Sequence, residues 1–260
     1  GSSNADEIAD SRYPGSANSK PGQQRATLEV MEVADLEGLP VHTQLLLANA
    51  SKQQFDDYAQ YTGVRVVDLL THLGVPLDGE FAGITIISAD GFMKDFGKEA
   101  VLNRYANSRF YSGLDTGTRG TDCGFVTYPP ASVIGTLTDG AEIPDEQWLM
   151  LGYRRDGGAM DPSYLDPVSG SIEGEGPLRI VVPQATAGMP DRGSKYSPSN
   201  CNDGLDYDKN KDHNAGSMVR GVVAVRVNPM PAGFEEFDAM NGGWAYVDAL
   251  QLIVYGYGIQ

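Results

Sequence analysis

Apolar runs and apolar–polar alternation predict most of the regular structure. Residues 28–33 alternate apolar and acidic side chains, which is the period of a half-buried strand. Val41–Ala48 contains three consecutive leucines and is predicted to be a second strand. Further apolar runs predict strands at residues 83–88, 148–155, 178–182, 219–227 and 250–255. Asp156-Gly157, directly after one of them, predicts a tight turn.

Helix signals are few. Val66, Leu69, Leu70 and Leu73 fall on one helical face, and Gly74 follows at the position where helices often end. Residues 35–40 predict a turn or a single helical turn. The 32 glycines among 260 residues exceed the usual ~7 %, and together with 15 prolines they indicate many turns and long loops. The pattern therefore predicts an α+β protein.

Two long polar stretches, residues 103–146 and 184–216, interrupt the predicted strands. Loops of this length inside a compact domain are usually functional or disordered. The first stretch is rich in aromatic side chains, which disordered segments seldom carry: Tyr105, Phe110, Tyr111, Phe125 and Tyr128. We expect both stretches to be inserts folded over one face of the domain.

The remaining chain organisation is simple. Residues 1–25 are polar and are predicted to be a disordered lead-in that begins with a cloning scar, and residues 26–260 are predicted to form one domain. Hydrophobic residues make up 41 % and charged residues 21 %, as in ordinary globular proteins. No apolar run approaches the ~20 residues of a membrane-spanning helix, so no membrane span is expected.

A net charge of −16 limits the partners. Nucleic-acid binding depends on Lys and Arg displacing counterions from phosphates, so a nucleic-acid partner is not expected. Anionic lipid surfaces would repel the protein for the same reason. A small ligand, a protein partner or a divalent cation remains compatible with this charge.

The two cysteines, Cys123 and Cys201, lie in Gly/Asp/Asn-rich loops and lack the C-x-x-C spacing of a zinc or redox site. They are either two free thiols or one disulfide that joins the two inserts. We favour the disulfide, which fits an oxidising compartment and hence an extracytoplasmic location, in the periplasm or at the cell surface.

The densest polar cluster offers a candidate calcium site. Oxygen-bearing side chains alternate at Asp206, Asp208, Asn210 and Asp212, so one loop could direct several at a hard cation. The spacing departs from an EF-hand, because the sixth position is Lys211 and the twelfth is Ser217. The alternative, which we favour, is a solvated acidic loop partly neutralised by its lysines.

No nucleophile-elbow, phosphate-loop, dinucleotide or zinc motif is present. The three histidines lack metal-ligand spacing. For His72, on the predicted helix, we expect a structural position at the protein surface or at the boundary of the core. His213 follows the acidic loop and is a candidate to cap a ligand.

Arg179 interrupts an apolar strand, so its charge must find a partner, either a buried carboxylate or a bound anion. Arg220 has the same two interpretations.

Several segments, in order, resemble sulfite-oxidase-type molybdopterin-binding domains. Residues 61–75 resemble the family's "tGvpLrdLLelaGv", residues 86–92 its strand ending in "sADGy", residues 151–157 its "lAyxxdG", residues 176–183 its "GGPLRLVVP", and residues 218–227 its "kWvrxvxxIeV". The resemblance implies a mixed-sheet, layered α+β domain of that type, with long loop inserts and with a pterin and its phosphate bound under loops.

One segment of the chain departs from the family's pattern. Family members that bind molybdenum have a cysteine after the second strand, in a context like "lxCxGN", whereas residues 45–51 here read Leu-Leu-Leu-Ala-Asn-Ala-Ser. Ala, Leu and Asn cannot replace a thiolate ligand. A pocket at this segment could still hold a pterin through hydrogen bonds and anion contacts. The candidate cofactor-binding residues are therefore His42, Asn49, Arg179 and Arg220.

Three hypotheses follow. The first is an exported domain that keeps the scaffold without the thiolate and is non-catalytic or altered in its ligand. The second is a molybdopterin-dependent oxidoreductase with an unusual ligand from an insert. The third is a calcium-stabilised surface module whose long loops contact a partner protein.

Overall fold

The computed structural model describes residues 28–196, 200–234 and 237–259. The predicted lead-in of residues 1–25 lies outside them. The strands are β1 Leu28–Glu32, β2 Val41–Ala48, β3 Asp56–Arg65, β4 Gly83–Ser88, β5 Met93–Gly97, β6 Val126–Thr127, β7 Met150–Arg155, β8 Gly158–Ala159, β9 Tyr164–Leu165, β10 Ile172–Glu173, β11 Arg179–Val181, β12 Val222–Asn228 and β13 Gln251–Gly256. The helices are α1 Val33–Glu37, α2 Val66–His72, α3 Lys98–Leu102, α4 Thr116–Arg119, α5 Ala131–Ile134 and α6 Ala239–Asp248, with a 3₁₀ turn at Asn214–Ser217.

Two mixed sheets dominate the fold. The first has the order β1-β13-β12-β4-β5, with β12 and β13 parallel and the other neighbours antiparallel. The second has the order β11-β7-β3-β2, and β6 and β8 extend it beside β3 and β7. Strands β9 and β10 form a separate hairpin.

The main hydrophobic core contains residues from both sheets and from helix α2. Alternate residues of the long strands face it, as with Ile84 and Ile86 of β4 and Leu46 of β2. Their neighbours face outward into two further clusters. Helix α6 packs over Ile87 and the outer face of the first sheet, and the first insert packs its aromatic rings over the outer face of the second. Both sheets are therefore buried on both faces.

The structure confirms the α+β class and most of the predicted strands. Helix α2 ends as predicted, and Gly74 has a φ of 72°, which lets the chain leave the helix in the left-handed conformation that glycine adopts at low cost. Asp156 and Gly157, with φ of 50° and 80°, form the predicted tight turn between β7 and β8. Sequence reasoning missed several elements, the longest of which are β3, an inner strand of the second sheet, and helix α6.

The two inserts are folded, as expected. The first buries Phe110 and Phe125 against Leu45, Leu47 and Tyr58. A disulfide between Cys123 and Cys201, with a Cα–Cα distance of 5.5 Å, joins it to the second insert and confirms that prediction. None of the described helices is long and apolar enough to cross a membrane.

Candidate functional site

A cavity of about 180 Å³ lies at the end of strand β2. The loop after β2 forms one wall through residues 50–53, and the 3₁₀ turn with Met218 forms another. Three cationic side chains line the cavity: Lys52, Arg179 and Arg220. None of the described lining residues is a carboxylate. Within a chain of net charge −16, this is a locally cationic concavity.

Arg179 projects from β11 and is 8 % exposed. Its Nη1 lies 2.7 Å from Oε1 of Glu175 and donates to the Tyr61 hydroxyl at 3.0 Å, so the predicted pairing with a buried carboxylate is present. Its Nε has no hydrogen-bond partner among the described residues. The Arg179 guanidinium therefore has one N–H left to donate to an anion or a ligand oxygen.

Glu175 links this arginine to a second one. Arg155 Nη1 lies 2.5 Å from Glu175 Oε1, and its Nη2 lies 2.6 Å from Asp57 Oδ2. Burial raises the pKa of Glu175, but the charges of Arg179 and Arg155 outweigh burial and hold that pKa below its ordinary value. Glu175 is therefore ionised at neutral pH and fixes the position of the Arg179 guanidinium beside the cavity.

Arg220 is less tightly held than Arg179. Its Nη1 is 3.9 Å from Glu173 Oε2, and its side chain is one-third exposed. Its backbone carbonyl accepts a hydrogen bond from the Ser88 hydroxyl, which anchors the chain where β4 ends. Lys52 is exposed on the opposite wall. These two side chains can adjust to a ligand, whereas Arg179 is preorganised.

A buried polar network holds the loop after β2 in place. The Asn49 amide N–H donates to Asn214 Oδ1 at 2.9 Å, and its side chain donates to Asp191 Oδ1 at 3.0 Å. The Ala50 N–H donates to Asp56 Oδ1 at 2.8 Å. Asn214 in turn donates to two backbone carbonyls, so its side chain joins β2 to the segment after β11. The cavity wall is thus fixed by side chains from distant parts of the chain.

The four predicted cofactor-binding residues do not all meet. Arg179 and Arg220 line the cavity. Asn49 is fully buried just beneath it, and its Oδ1 lacks a partner among the described residues. His42 lies near the opposite end of β2, and its Nε2 is within 3.1 Å of Gln44 Oε1 and 2.9 Å of the Glu146 carbonyl. Two acceptors around one nitrogen place the proton on Nε2 and give His42 a structural role.

The predicted calcium ligands do not converge. Asp208 Oδ1 accepts from the N–H and the side chain of Asn210, and Asp212 Oδ2 accepts from the Ala185 N–H. Asp206 is mostly exposed. Among the described residues, no three His, Cys, Asp or Glu side chains are placed to share a metal ion.

His213, the candidate ligand cap, is instead part of the buried network. Its Nε2 lies 3.2 Å from Asp191 Oδ1, and its ring stacks on Tyr207 with centroids 5.0 Å apart. His72 lies in the last turn of α2 and is exposed, as expected for a boundary residue.

The residues present do not fit molybdenum held in the manner that the resemblance implies. The stretch after β2 carries no sulfur, and the chain's two cysteines are joined to each other. Neither sulfur is therefore a thiolate in this structure, and a relocated cysteine ligand would first require reduction of the disulfide. The cationic lining does fit the phosphate part of a pterin cofactor.

Sequence reasoning missed three contributors to this site. No motif or periodicity in the sequence marks Lys52, because it is one polar residue in a short loop. Tyr61 and Glu175 become part of the site only because β3, β7 and β11 are neighbours in the second sheet.

Comparison with protein-family models, with curated proteins and with solved structures finds no match. The assignment to the sulfite oxidase type therefore remains a prediction that rests on the residues quoted above.

Proposed function

We propose that this protein is an extracytoplasmic binding domain of sulfite-oxidase-like architecture that holds a phosphate-bearing ligand, a pterin phosphate first among the candidates, without molybdenum. The observation that carries the proposal is the cavity lined by Lys52, Arg179 and Arg220 at the end of β2. Protein cations in a partly enclosed space bind phosphate oxygens through charge-assisted hydrogen bonds.

The site's rigidity supports binding. Arg179 is held by Glu175 and Tyr61, and the loop after β2 is held by Asn214 and Asp56. Preorganised donors lose little conformational freedom when a ligand arrives. The disulfide between the inserts supports the extracytoplasmic location, because such bonds persist in oxidising compartments.

The first experiment is calorimetric titration with inorganic pyrophosphate at low ionic strength. We expect saturable binding by the unaltered protein and at least about tenfold weaker binding by the double variant Lys52→Gln/Arg220→Gln. Arg179 is left unchanged because its structural contacts would confuse the result. The matched control is Arg104→Gln, which removes an exposed arginine outside the cavity. Absence of binding, or equal binding by the double variant, would contradict the proposal.

A second measurement identifies the ligand class. Protein purified from a host that makes molybdopterin is denatured, and the supernatant is oxidised and examined for pterin fluorescence. A stoichiometric signal that the double variant loses supports a pterin phosphate. Pyrophosphate binding without a pterin signal would support the anion site but would exclude a pterin as its ligand.

A further inference from the structure

A second cavity, of about 350 Å³, lies where α1, β7, β8 and the end of α6 meet. None of its described lining residues also lines the cationic cavity. Its wall is mainly apolar and includes Val33, Tyr153, Pro177 and Leu250. One ion pair, between Arg154 Nη2 and Glu37 Oε1 at 2.8 Å, supplies its charged groups. A concave, mostly apolar space with a few polar groups is the usual form of a small-molecule site.

Leu250 is the most informative residue of this cavity. It has a φ of 54°, a left-handed conformation that leucine rarely adopts, at the position after helix α6 where glycine is the usual residue. Its N–H donates to the Val247 carbonyl and its own carbonyl accepts from the Val33 N–H. Those backbone bonds would form equally well with glycine.

The leucine side chain is therefore not required by the turn. It is also not required by the core, because it is 52 % exposed. What it does is complete the apolar wall of the cavity. Backbone strain that the local structure does not need, at the edge of a cavity, is a feature of binding sites.

The lining also indicates the ligand's charge and size. Arg154 and Glu37 neutralise each other, so the wall as a whole favours an uncharged molecule with one hydrogen-bonding group at this pair. Both side chains are roughly half exposed, and such pairs yield readily to a competing partner. An apolar cavity of ~150 Å³ holds benzene, so a cavity of about 350 Å³ accommodates a two-ring molecule.

We infer that this cavity binds a small, neutral, two-ring aromatic molecule with a single hydroxyl or carbonyl group directed at Arg154 and Glu37. This site is independent of the anion site, and neither proposal depends on the other.

The test uses 2-naphthol as the probe, with binding followed by calorimetry and by ligand-observed NMR. The unaltered protein is expected to bind it saturably. Leu250→Gly should weaken binding about tenfold while leaving the melting temperature unchanged or raised, because glycine relieves the left-handed conformation. A merely structural role for Leu250 would give the opposite pattern, lower stability with unchanged binding, and would overturn the inference.

A second variant keeps the test decisive if Leu250→Gly folds poorly. Ala159 lies on the cavity wall and is otherwise exposed, so Ala159→Phe should fill the space and abolish binding with little effect on folding. Leu165→Gly is the control, since Leu165 is similarly exposed but lies on the separate β9–β10 hairpin. Lack of saturable binding by the unaltered protein, or unchanged binding by Ala159→Phe, would overturn the inference, as would an equal loss in Leu165→Gly.

Discussion

The Asp191 N–H donates to Asp56 Oδ2 at 3.3 Å, and both carboxyl groups are buried beneath the loop after β2. Burial raises the pKa of Asp56 to about 8, and the charge of Asp191 adds to the rise, while hydrogen bonds from Ala50 and Asp191 only partly oppose it. Asp56 is therefore largely protonated in the folded protein at neutral pH, whereas it is ionised in the unfolded chain.

The first prediction follows from that difference. Because the folded state binds the extra proton, the free energy of unfolding should fall as the pH rises from about 4 to about 8, with a slope of up to ~1.4 kcal/mol per pH unit. Asp57, whose pKa is also raised by burial, acts in the same direction. Glu175 and Asp203 have lowered pKa values and act in the opposite direction, but only below about pH 4.5.

Urea denaturation at pH 5.5 and 8.5 measures the effect. Asp56→Asn should flatten the pH dependence. It should also lower stability at pH 5.5, because the amide has one acceptor oxygen in place of the two side-chain oxygens that accept from the Ala50 and Asp191 N–H groups. Asp78→Asn, at an exposed position, is the control and should follow the unaltered protein. A slope that persists in Asp56→Asn would contradict the assignment to this carboxyl group.

The second prediction concerns Arg192, whose side chain is only 2 % exposed. Its two Nη atoms donate to Asp203 at 2.7 and 2.8 Å, and its guanidinium lies 4.7 Å from the centroid of Phe125. Asp203→Asn should lower the free energy of unfolding by roughly 3 kcal/mol, because it removes the carboxylate that is hydrogen-bonded to a buried cation. Asp206→Asn removes a largely exposed carboxylate 3.9 Å from the same arginine and should cost less than ~1 kcal/mol. Equal effects in denaturant titrations would contradict the prediction.

The third prediction tests the disulfide, which spans a sequence separation of 78 residues. Thiol titration of the unfolded, unreduced protein should detect no free thiol. Reduction should lower the free energy of unfolding by roughly 3–5 kcal/mol, because it restores freedom to the unfolded chain. A Cys123→Ser/Cys201→Ser variant should show that lower stability with or without reductant. Two titratable thiols before reduction would refute the bond.

The sequence predicts those elements whose apolar residues are buried in place. β4, β12 and β13 can be recognised in the sequence because both of their faces are covered, which requires continuous apolar runs. β3 was missed because it begins with two aspartates and contains Gln60 and Thr62. Its two aspartates are paired with residues remote in sequence: Asp57 with Arg155, and Asp56 with the Asp191 N–H. Such partners carry no local signal.

Helix α6 was missed for another reason. It contains Gly242 and Gly243, which disfavour isolated helices. A Cβ at Gly243 would lie 2.8 Å from the Ala89 Cα, so the glycine permits the helix to approach the first sheet. Packing of Tyr246 and Val247 then stabilises a helix that local propensity opposes.

The candidate site was predicted only in part. Arg179 and Arg220 are candidates because a charge within an apolar strand needs either a carboxylate or a bound anion as its partner, and both line the cavity. Lys52 and Glu175 became visible only once sheet order and loop positions were known.

The fourth prediction is that the acidic loop does not bind calcium. The carboxylates of Asp208 and Asp212 already accept hydrogen bonds, and Asp206 points elsewhere, towards Arg192. Millimolar calcium should leave the thermal unfolding curve unchanged relative to a chelator-treated sample. A site saturated a hundredfold above its Kd would stabilise the protein by about 2.7 kcal/mol, so the assay is sensitive. A calcium-dependent rise in melting temperature that is lost in Asp208→Asn would establish the site instead.

The last prediction concerns molybdenum. A soft thiolate is the ligand that the metal would need here, and the chain has two sulfur-bearing cysteines, Cys123 and Cys201, which are bonded to each other. The stretch after β2 offers the Asn49 amide and apolar groups in its place. Protein purified from a host that makes the cofactor should therefore contain no stoichiometric molybdenum by elemental analysis, and it should not oxidise sulfite or reduce sulfoxides. The informative comparison is the same preparation purified under reducing conditions, which frees both thiols. Molybdenum in the unreduced protein would overturn the prediction outright, whereas molybdenum only after reduction would identify a cysteine of the inserts as a ligand that the disulfide normally blocks.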